Sequence, residues 1–420
     1  MRQFYTFLYW LVLPFILGRL IWRAFKQPDY LKRIHERFGS YPIKLKESIW
    51  VHAVSVGESI AAIPLVEALL ISYPHIPILM TTTTPTGAAR INAALQNRVT
   101  QVYLPYDLPF AMQRLVDAMN PKIGIIMETE WWPNLLYICH KNKLPICLFN
   151  ARLSEKSARG YQKIASFSHL MLSHMVAITA QSEDDAKRLI MLGADREKIT
   201  ITGNIKFDMT VPINLEQQTK YLRSTLGNRP IWIAASTHEG EEKIVLKAHR
   251  IICQSKKDAL LILVPRHPDR FHAVRNLCEE NFKTISRSQH SDRIPKDVAV
   301  YLADTMGEML LLYSVADITF IGGSLVPIGG HNSIEASILA KPILTGPHLD
   351  NFKKVSKLLL EANAQMIIHD ELSLANIVLD LMNDQDKRKR MGDNAKEVVE
   401  HNRGALQKQL TIIKKILTTA

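Results

Sequence analysis

From residue 49 onward, short apolar runs rich in β-branched residues alternate with longer stretches of helical period. In the first half these runs predict strands over residues 49–56, 76–82, 102–104, 123–127, 146–149, 176–180 and 199–202. Residues 60–71 and 183–192 have the length and period of helices. After a polar, turn-prone stretch at 207–229 the alternation restarts, with strands predicted over 231–235, 260–264, 298–302, 318–321 and 343–344. Near-continuous apolar strands that alternate with helices belong to parallel sheets covered on both faces. The predicted fold is therefore α/β, with two doubly wound parallel-sheet domains facing each other across a cleft. The boundaries that follow are 1–48 for an apolar and basic N-terminal segment, 49–206 for the first domain, 207–229 for a linker and 230–420 for the second domain.

The first forty residues break this pattern. Sixteen uncharged residues lie between Arg2 and Arg19, which as a helix would reach only about 24 Å against a hydrocarbon core of about 30 Å. If Arg19 snorkels, Leu20, Ile21 and Trp22 extend the segment, although Pro14 interrupts it. Tyr5, Tyr9, Trp10 and Trp22 suit an interfacial belt, and no small-residue cleavage site follows. Residues 3–25 are thus expected to be a retained membrane anchor, spanning or lying in the surface; a buried first helix of a soluble domain is the alternative. The basic residues behind the segment would keep the remainder on the cytoplasmic side.

Charge sharpens that expectation. Lys plus Arg outnumber Asp plus Glu by 52 to 40, for a net charge of +12. Seven basic residues (Arg2, Arg19, Arg23, Lys26, Lys32, Arg33, Arg37) against two acidic ones (Asp29, Glu36) place +5 of it in the first 40 residues. A positive excess beside an apolar segment points to anionic lipid before nucleic acid, and no RNA- or DNA-binding motif is present. Hydrophobic residues at 47% and charged residues at 22% exclude a disordered or polytopic chain. Cys139, Cys147, Cys253 and Cys278 form no CxxC and read as reduced core thiols. The fifteen histidines lack HExxH spacing, and the 182–185 acidic stretch sits in a helical pattern, so no metal and no cofactor are expected.

In open α/β sheets ligands bind beyond the carboxyl ends of strands. The first strand runs into Gly57-Glu58, which would present Glu58 as a general base or leave it at the positive end of its own helix. The strand ending at Met127 leads into Glu128-Thr129-Glu130-Trp131-Trp132-Pro133-Asn134. If that strand continues, Glu128 and Glu130 share a face; alternatively one of them caps a helix starting near Pro133. Lys206 lies just before the linker, placed to reach a cleft or to sit on the surface. In the second half, Pro265-Arg266-His267-Pro268-Asp269-Arg270 suits an anion or an internally salt-bridged turn. Gly322-Gly323 and Gly329-Gly330 lead to Asn332-Ser333-Ile334-Glu335, where backbone N–H groups and a helix start suit a phosphate, while Asn332 and Glu335 also fit a capping box. No P-loop and no Ser-His-Asp elbow occur.

Eleven blocks occur in order: HAVSVGE (52–58), TTTTPTG (81–87), VYLPYDLP (102–109), METEWWPN (127–134), NARLS (150–154), TGNIKFD (202–208), STHEGEE (236–242), VPRHPDRF (264–271), DTMGEM (304–309), GGSLV with GGHN and Glu335 (322–335), and GPH with NF (346–352). Together they resemble the 3-deoxy-D-manno-octulosonic acid (Kdo) transferases over nearly the whole chain, with Ala303 and Trp131 as minor departures. The resemblance implies a GT-B glycosyltransferase at the inner membrane that is inverting and metal-independent. It would move Kdo from CMP-Kdo to lipid IVA, with the anchor on anionic inner-membrane lipids. By position, it implies Glu58 as general base and Glu128 and Lys206 as transition-state stabilisers. CMP contacts would fall on Pro265, Arg266, Met306, Gly307, Glu308, Asn332, Ser333, Ile334 and Glu335. A lipid-acceptor transferase using a UDP-sugar and a nucleotide-sugar epimerase are the competing readings.

Overall fold

The computed structural model describes residues 1–289 and 293–419. It divides into two units, Met1–Asp208 with Arg403–Ala420, and Met209–Asn402. In the first, β1 (Ser48–His52), β2 (Ile78–Thr82), β3 (Thr100–Tyr103), β4 (Pro121–Met127), β5 (Ile146–Ala151), β6 (Met175–Ala180) and β7 (Ile199–Ile201) form a parallel sheet in the order β3-β2-β1-β4-β5-β6-β7. All five residues of β1 are buried because helices cover both faces. Successive side chains take opposite sides: Ile49 and Val51 pack with Ile78, Met80, Ile125 and Phe149, and Trp50 packs with Leu79, Ile126 and Leu148.

The second unit repeats the scheme. Its strands are β8 (Ile231–Thr237), β9 (Leu260–Pro265), β10 (Thr284–Ser286), β11 (Val300–Leu302), β12 (Ile318–Ile321), β13 (Ile343–Thr345) and β14 (Gln365–Ile367), all parallel in the order β10-β11-β9-β8-β12-β13-β14. The two strands that the pattern does not show, β10 and β14, are three-residue edge strands, too short to carry a period. The first strand is shorter than expected. It ends at His52, since Ser55 caps the helix Val56–Ser72 and pulls the chain out of the sheet four residues early.

The boundaries also shift. Residues 403–420 join the first unit rather than the second: the Asp208 carboxylate accepts the N–H groups of Gly404 (2.7 Å) and Leu406 (2.8 Å), and the helix Ala405–Thr419 adds Ala405 and Ile413 to the core beside Ile49. The 207–229 stretch is not a bare linker. Its helix Leu215–Leu226 buries Leu215, Leu222 and Leu226, and Thr219 bonds Ser314 of the helix Met309–Val315.

Residues Arg2–Lys26 form one helix through Pro14. One side packs on the first unit through Leu13, with Tyr9 and Leu17, against Leu108 and Ala111. Arg2 Nη1 (3.1 Å) and Thr6 Oγ1 (3.0 Å) donate to Asn134 Oδ1, and the Asp107 N–H donates to Tyr9 Oη at 3.3 Å. The other side exposes Phe4, Phe7, Leu11, Phe15, Trp22 and Phe25. The helix is long and apolar enough to cross a bilayer, and only 11% of its apolar window is buried, which removes the reading of a buried soluble helix. The basic cluster is smaller than its count suggests: Arg33 is paired with Glu36, Lys32 with Asp29, and Arg37 is buried. Deleting residues 1–26 should shift the protein from the membrane to the soluble fraction and lower its melting temperature, because Asn134 loses both donors. Sedimentation with membranes as complete as that of the intact chain would contradict this.

Candidate active site

Strand order in the first sheet reverses between β1 and β4, which opens a crevice at their carboxyl ends. Two of the residues expected to be functional come from those ends. Glu58 lies in the first turn of Val56–Ser72, with Oε2 accepting the Val54 N–H at 2.7 Å and Oε1 accepting from Ser55 Oγ at 3.2 Å. Glu58 thus sits at the positive end of its own helix, as the alternative reading had it, but it is partly buried rather than solvated. Burial first, then the charges of Glu128 and Glu130, raise its pKa to about 7, against the pull of the two hydrogen bonds. A carboxyl poised there is half ionised at neutral pH, the condition a general base needs.

Glu128 is the residue after β4 and is buried, with φ of 59°. Such a backbone costs about 1–3 kcal/mol and persists only where surroundings hold it; here Glu128 N–H donates to Phe149 O at 2.9 Å. The strand does not continue, so alternation does not place Glu128 and Glu130 together. A turn does, and Trp132 Nε1 holds Glu130 at 3.0 Å. Neither glutamate caps the helix Pro133–Lys141. That task falls to Asp107, whose carboxylate accepts from Asn134 N (3.0 Å) and Leu135 N (2.8 Å). Lys206 is not a surface lysine: on the turn Ile205–Asp208 its Nζ reaches Glu128 Oε1 at 2.9 Å. Asn150, buried at φ 55° after Phe149, sets that turn by accepting the Ile205 N–H at 3.1 Å. The first unit thus gathers Glu58, Glu128 and Lys206.

In the second unit the anion-binding expectation needs correcting. The N–H groups of Gly323 (2.7 Å), Ser324 (3.0 Å) and Leu325 (2.9 Å) are already taken, together with that of His238 (2.9 Å), by the buried Glu241 carboxylate. The helix Ile334–Ser337 is only four residues long, too short for a useful dipole, and Ser333 rather than Asn332 is its N-cap. Asn332 instead accepts the Ile334 N–H at 3.1 Å and donates to Glu335 Oε1 at 3.2 Å. The loop after β9 splits. Arg270 is held by Glu242 at 2.6 and 3.0 Å, as a salt-bridged turn, whereas Arg266, half-buried after Pro265, faces the charge of Glu335. Met306 is exposed, Gly307 turns at φ 88°, and Glu308 is held by Arg287 at 2.8 Å beside a cavity of about 400 Å³.

A family profile described as 3-Deoxy-D-manno-octulosonic-acid transferase (kdotransferase) matches residues 32–209. The 3-deoxy-D-manno-octulosonic acid transferase of Haemophilus influenzae is 42% identical over 423 residues, 99% of this chain and 99% of its own. The chain belongs to this family. A second Kdo transferase, from Bordetella pertussis, is 35% identical over 88% of this chain and 87% of its own. Among solved structures, the UDP-GlcNAc 2-epimerase from Neisseria meningitidis bound to UDP-GlcNAc aligns with a TM-score of 0.60 at 14% identity, over 89% of this chain and 100% of its own. That likeness shows the GT-B-like fold alone. As a Kdo transferase the protein is a glycosyltransferase, and its work is Kdo transfer in lipopolysaccharide synthesis.

Several residues of this Kdo transferase were not singled out by sequence although they lie within or beside the blocks: Asn150 and Arg152 in NARLS, His238 and Glu241 in STHEGEE, and His331 in GGHN. Arg152 Nη2 approaches Glu128 Oε2 at 4.0 Å. Only the folded sheet brings such residues together. Glu58 also carries a stability signature. Its folded pKa, about 7, exceeds the ordinary 4.5, so its ionisation opposes folding; that penalty is absent below pH 4.5 and complete above about 7. The melting temperature of Glu58→Gln relative to the parent should therefore rise from pH 4.5 to pH 8. A difference that shrinks over that range would overturn the assigned environment.

Proposed function

We propose that this transferase moves Kdo from CMP-Kdo to a hydroxyl of lipid IVA, with inversion at the anomeric carbon and without a metal ion. The observation that carries the reading is Glu58, a carboxyl with pKa about 7, grouped with the Glu128–Lys206 ion pair at the β1/β4 crevice. In this reading Glu58 accepts the proton of the attacking lipid hydroxyl. Positive charge gathering at the anomeric carbon is met by Glu128, and Lys206 and Arg266 meet the negative charge leaving with the phosphate. A leaving group with one phosphate needs no divalent ion to spread its charge. The second unit takes the nucleotide through Pro265, Arg266, Met306, Gly307, Glu308, Asn332, Ser333, Ile334 and Glu335. The exposed face of the N-terminal helix rests in the cytoplasmic side of the inner membrane, on anionic lipid, where the acceptor is found.

Incubation with CMP-Kdo made in situ and lipid IVA, followed by mass spectrometry of the lipid, tests this. A gain of one or more Kdo residues is expected, and none with UDP-GlcNAc as donor. Transfer only from the UDP-sugar, or epimerisation of it, would replace the reading. Within the second unit, Arg266→Ala should weaken CMP binding by about 1–3 kcal/mol, the worth of a charged hydrogen bond. Unchanged CMP affinity in a folded variant would remove Arg266 from the site.

A further inference from the structure

Order in the second sheet reverses between β8 and β12, and the residues that meet at their carboxyl ends include three histidines, none of them among the expected CMP contacts. His238 is the first residue after β8, and Gly322-Gly323 follow β12 directly. The His238 and His331 rings are 8° from parallel with centroids 5.0 Å apart, so that Nε2 points at Nε2 across 2.7 Å. His267 stands edge-on to His238 with centroids 5.3 Å apart. Gly323, at φ +67°, lies so close that a Cβ there would sit 2.9 Å from His331 Cδ2 and Nε2 and would press the ring out of the pair.

We propose that the His238–His331 pair is the anion seat of the donor site, which receives one oxyanion of the sugar nucleotide, its phosphate or its sugar carboxylate, and takes up a proton as it does so. This rests on the second unit being the nucleotide-binding one. At 2.7 Å the two nitrogens share one proton, one donating and the other accepting. They are too close to be joint zinc ligands, which at about 2.0–2.1 Å from a tetrahedral ion stand about 3.3 Å apart. The amides of Gly323, Ser324 and Leu325 serve Glu241, and Arg270 serves Glu242, so neither reaches an anion at this place. Arg266 stands beside the imidazoles.

The groups around the pair keep it neutral while it is empty. Burial first, then His267, Arg266 and Arg270, lower the pKa of His238 against the pull of Glu242, and its backbone N–H donates to Glu241. His331 faces Arg266, His238 and His267, and burial first, then those cations, push its pKa down to about 3. Asp269 lies against His267 and Glu335 against Arg266. An entering oxyanion offsets the cations and offers a second acceptor, so the pair gains a proton in the complex. Donor binding therefore tightens as pH falls between the free and bound pKa values.

Full-length protein with isotope-labelled histidine, titrated by NMR free and with sulfate, CMP or CMP-Kdo made in situ, tests this. Free, both His238 and His331 should gain their protons only below pH 6.5, His331 the lower of the two. Bound sulfate, a bare dianion, should raise the pair by about one pH unit or more. A rise with CMP assigns the seat to phosphate, and a rise only with CMP-Kdo assigns it to the sugar carboxylate. His331→Gln should remove the shift of His238 and weaken donor binding about tenfold or more. An identical titration with and without a bound anion would overturn the seat. If CMP binds with no shift in any state, the nucleotide site stands and the seat falls; if sulfate shifts the pair and neither nucleotide binds, the seat stands and the donor reading falls.

Discussion

Glu58→Gln should cut transfer to lipid IVA by at least about 10²-fold, the usual worth of a positioned general base, while CMP binding is retained. Glutamine keeps one acceptor oxygen for the Val54 N–H (2.7 Å), and its amide NH2 can donate to the Ser55 hydroxyl oxygen (3.2 Å) in place of accepting from it, so the helix start survives and basicity is lost. The base acts on the acceptor hydroxyl, so slow hydrolysis of CMP-Kdo by water should be spared more than transfer. Glu128→Gln should instead depress transfer and hydrolysis together, if, as proposed, its charge meets the positive charge at the donor carbon. If Glu58→Gln transfers normally while Glu128→Gln loses transfer and keeps hydrolysis, the two roles are reversed.

Lys206→Met is expected to lower turnover by about 10²–10³-fold, as the loss of one charge-stabilising donor does. It should also destabilise the protein by up to about 3–5 kcal/mol, since Glu128 is left buried without its 2.9 Å partner. The double change Lys206→Met with Glu128→Gln should regain much of that stability and none of the activity. Additive losses of stability in the two single variants would show that the pair is not coupled. Removing the Glu128 charge alone should lower the pKa of Glu58, because that charge now raises it.

The parts that were legible in the sequence were those with a local cause. Seven strands of the first sheet and five of the second announce themselves as apolar runs, and Glu58 and Glu128 follow strand ends by simple counting. What escaped depends on contacts far apart in the chain. The turn carrying Lys206 is fixed by Asn150, 55 residues earlier. Asp208 fastens the last helix to the first unit across 196 residues, which no boundary signal at 207–229 reveals. The glycine loop at 322–323 looked free for phosphate because Glu241, which occupies its N–H groups, lies more than 80 residues upstream. The His238–His331 contact, 93 residues apart, is equally silent in the sequence.

The claim that Glu58 is the proton acceptor is tested most directly by the pH dependence of kcat/KM for lipid IVA at saturating CMP-Kdo, where donor binding no longer contributes. The ionised carboxylate is the active form, so the rate should fall tenfold per pH unit below an apparent pKa near 7 and level off above it. In Glu128→Gln the residual rate should show the same limb at lower pH, and in Glu58→Gln the limb should vanish. A rate that is flat between pH 5 and 8 in the parent protein, or a limb that persists in Glu58→Gln, would contradict it.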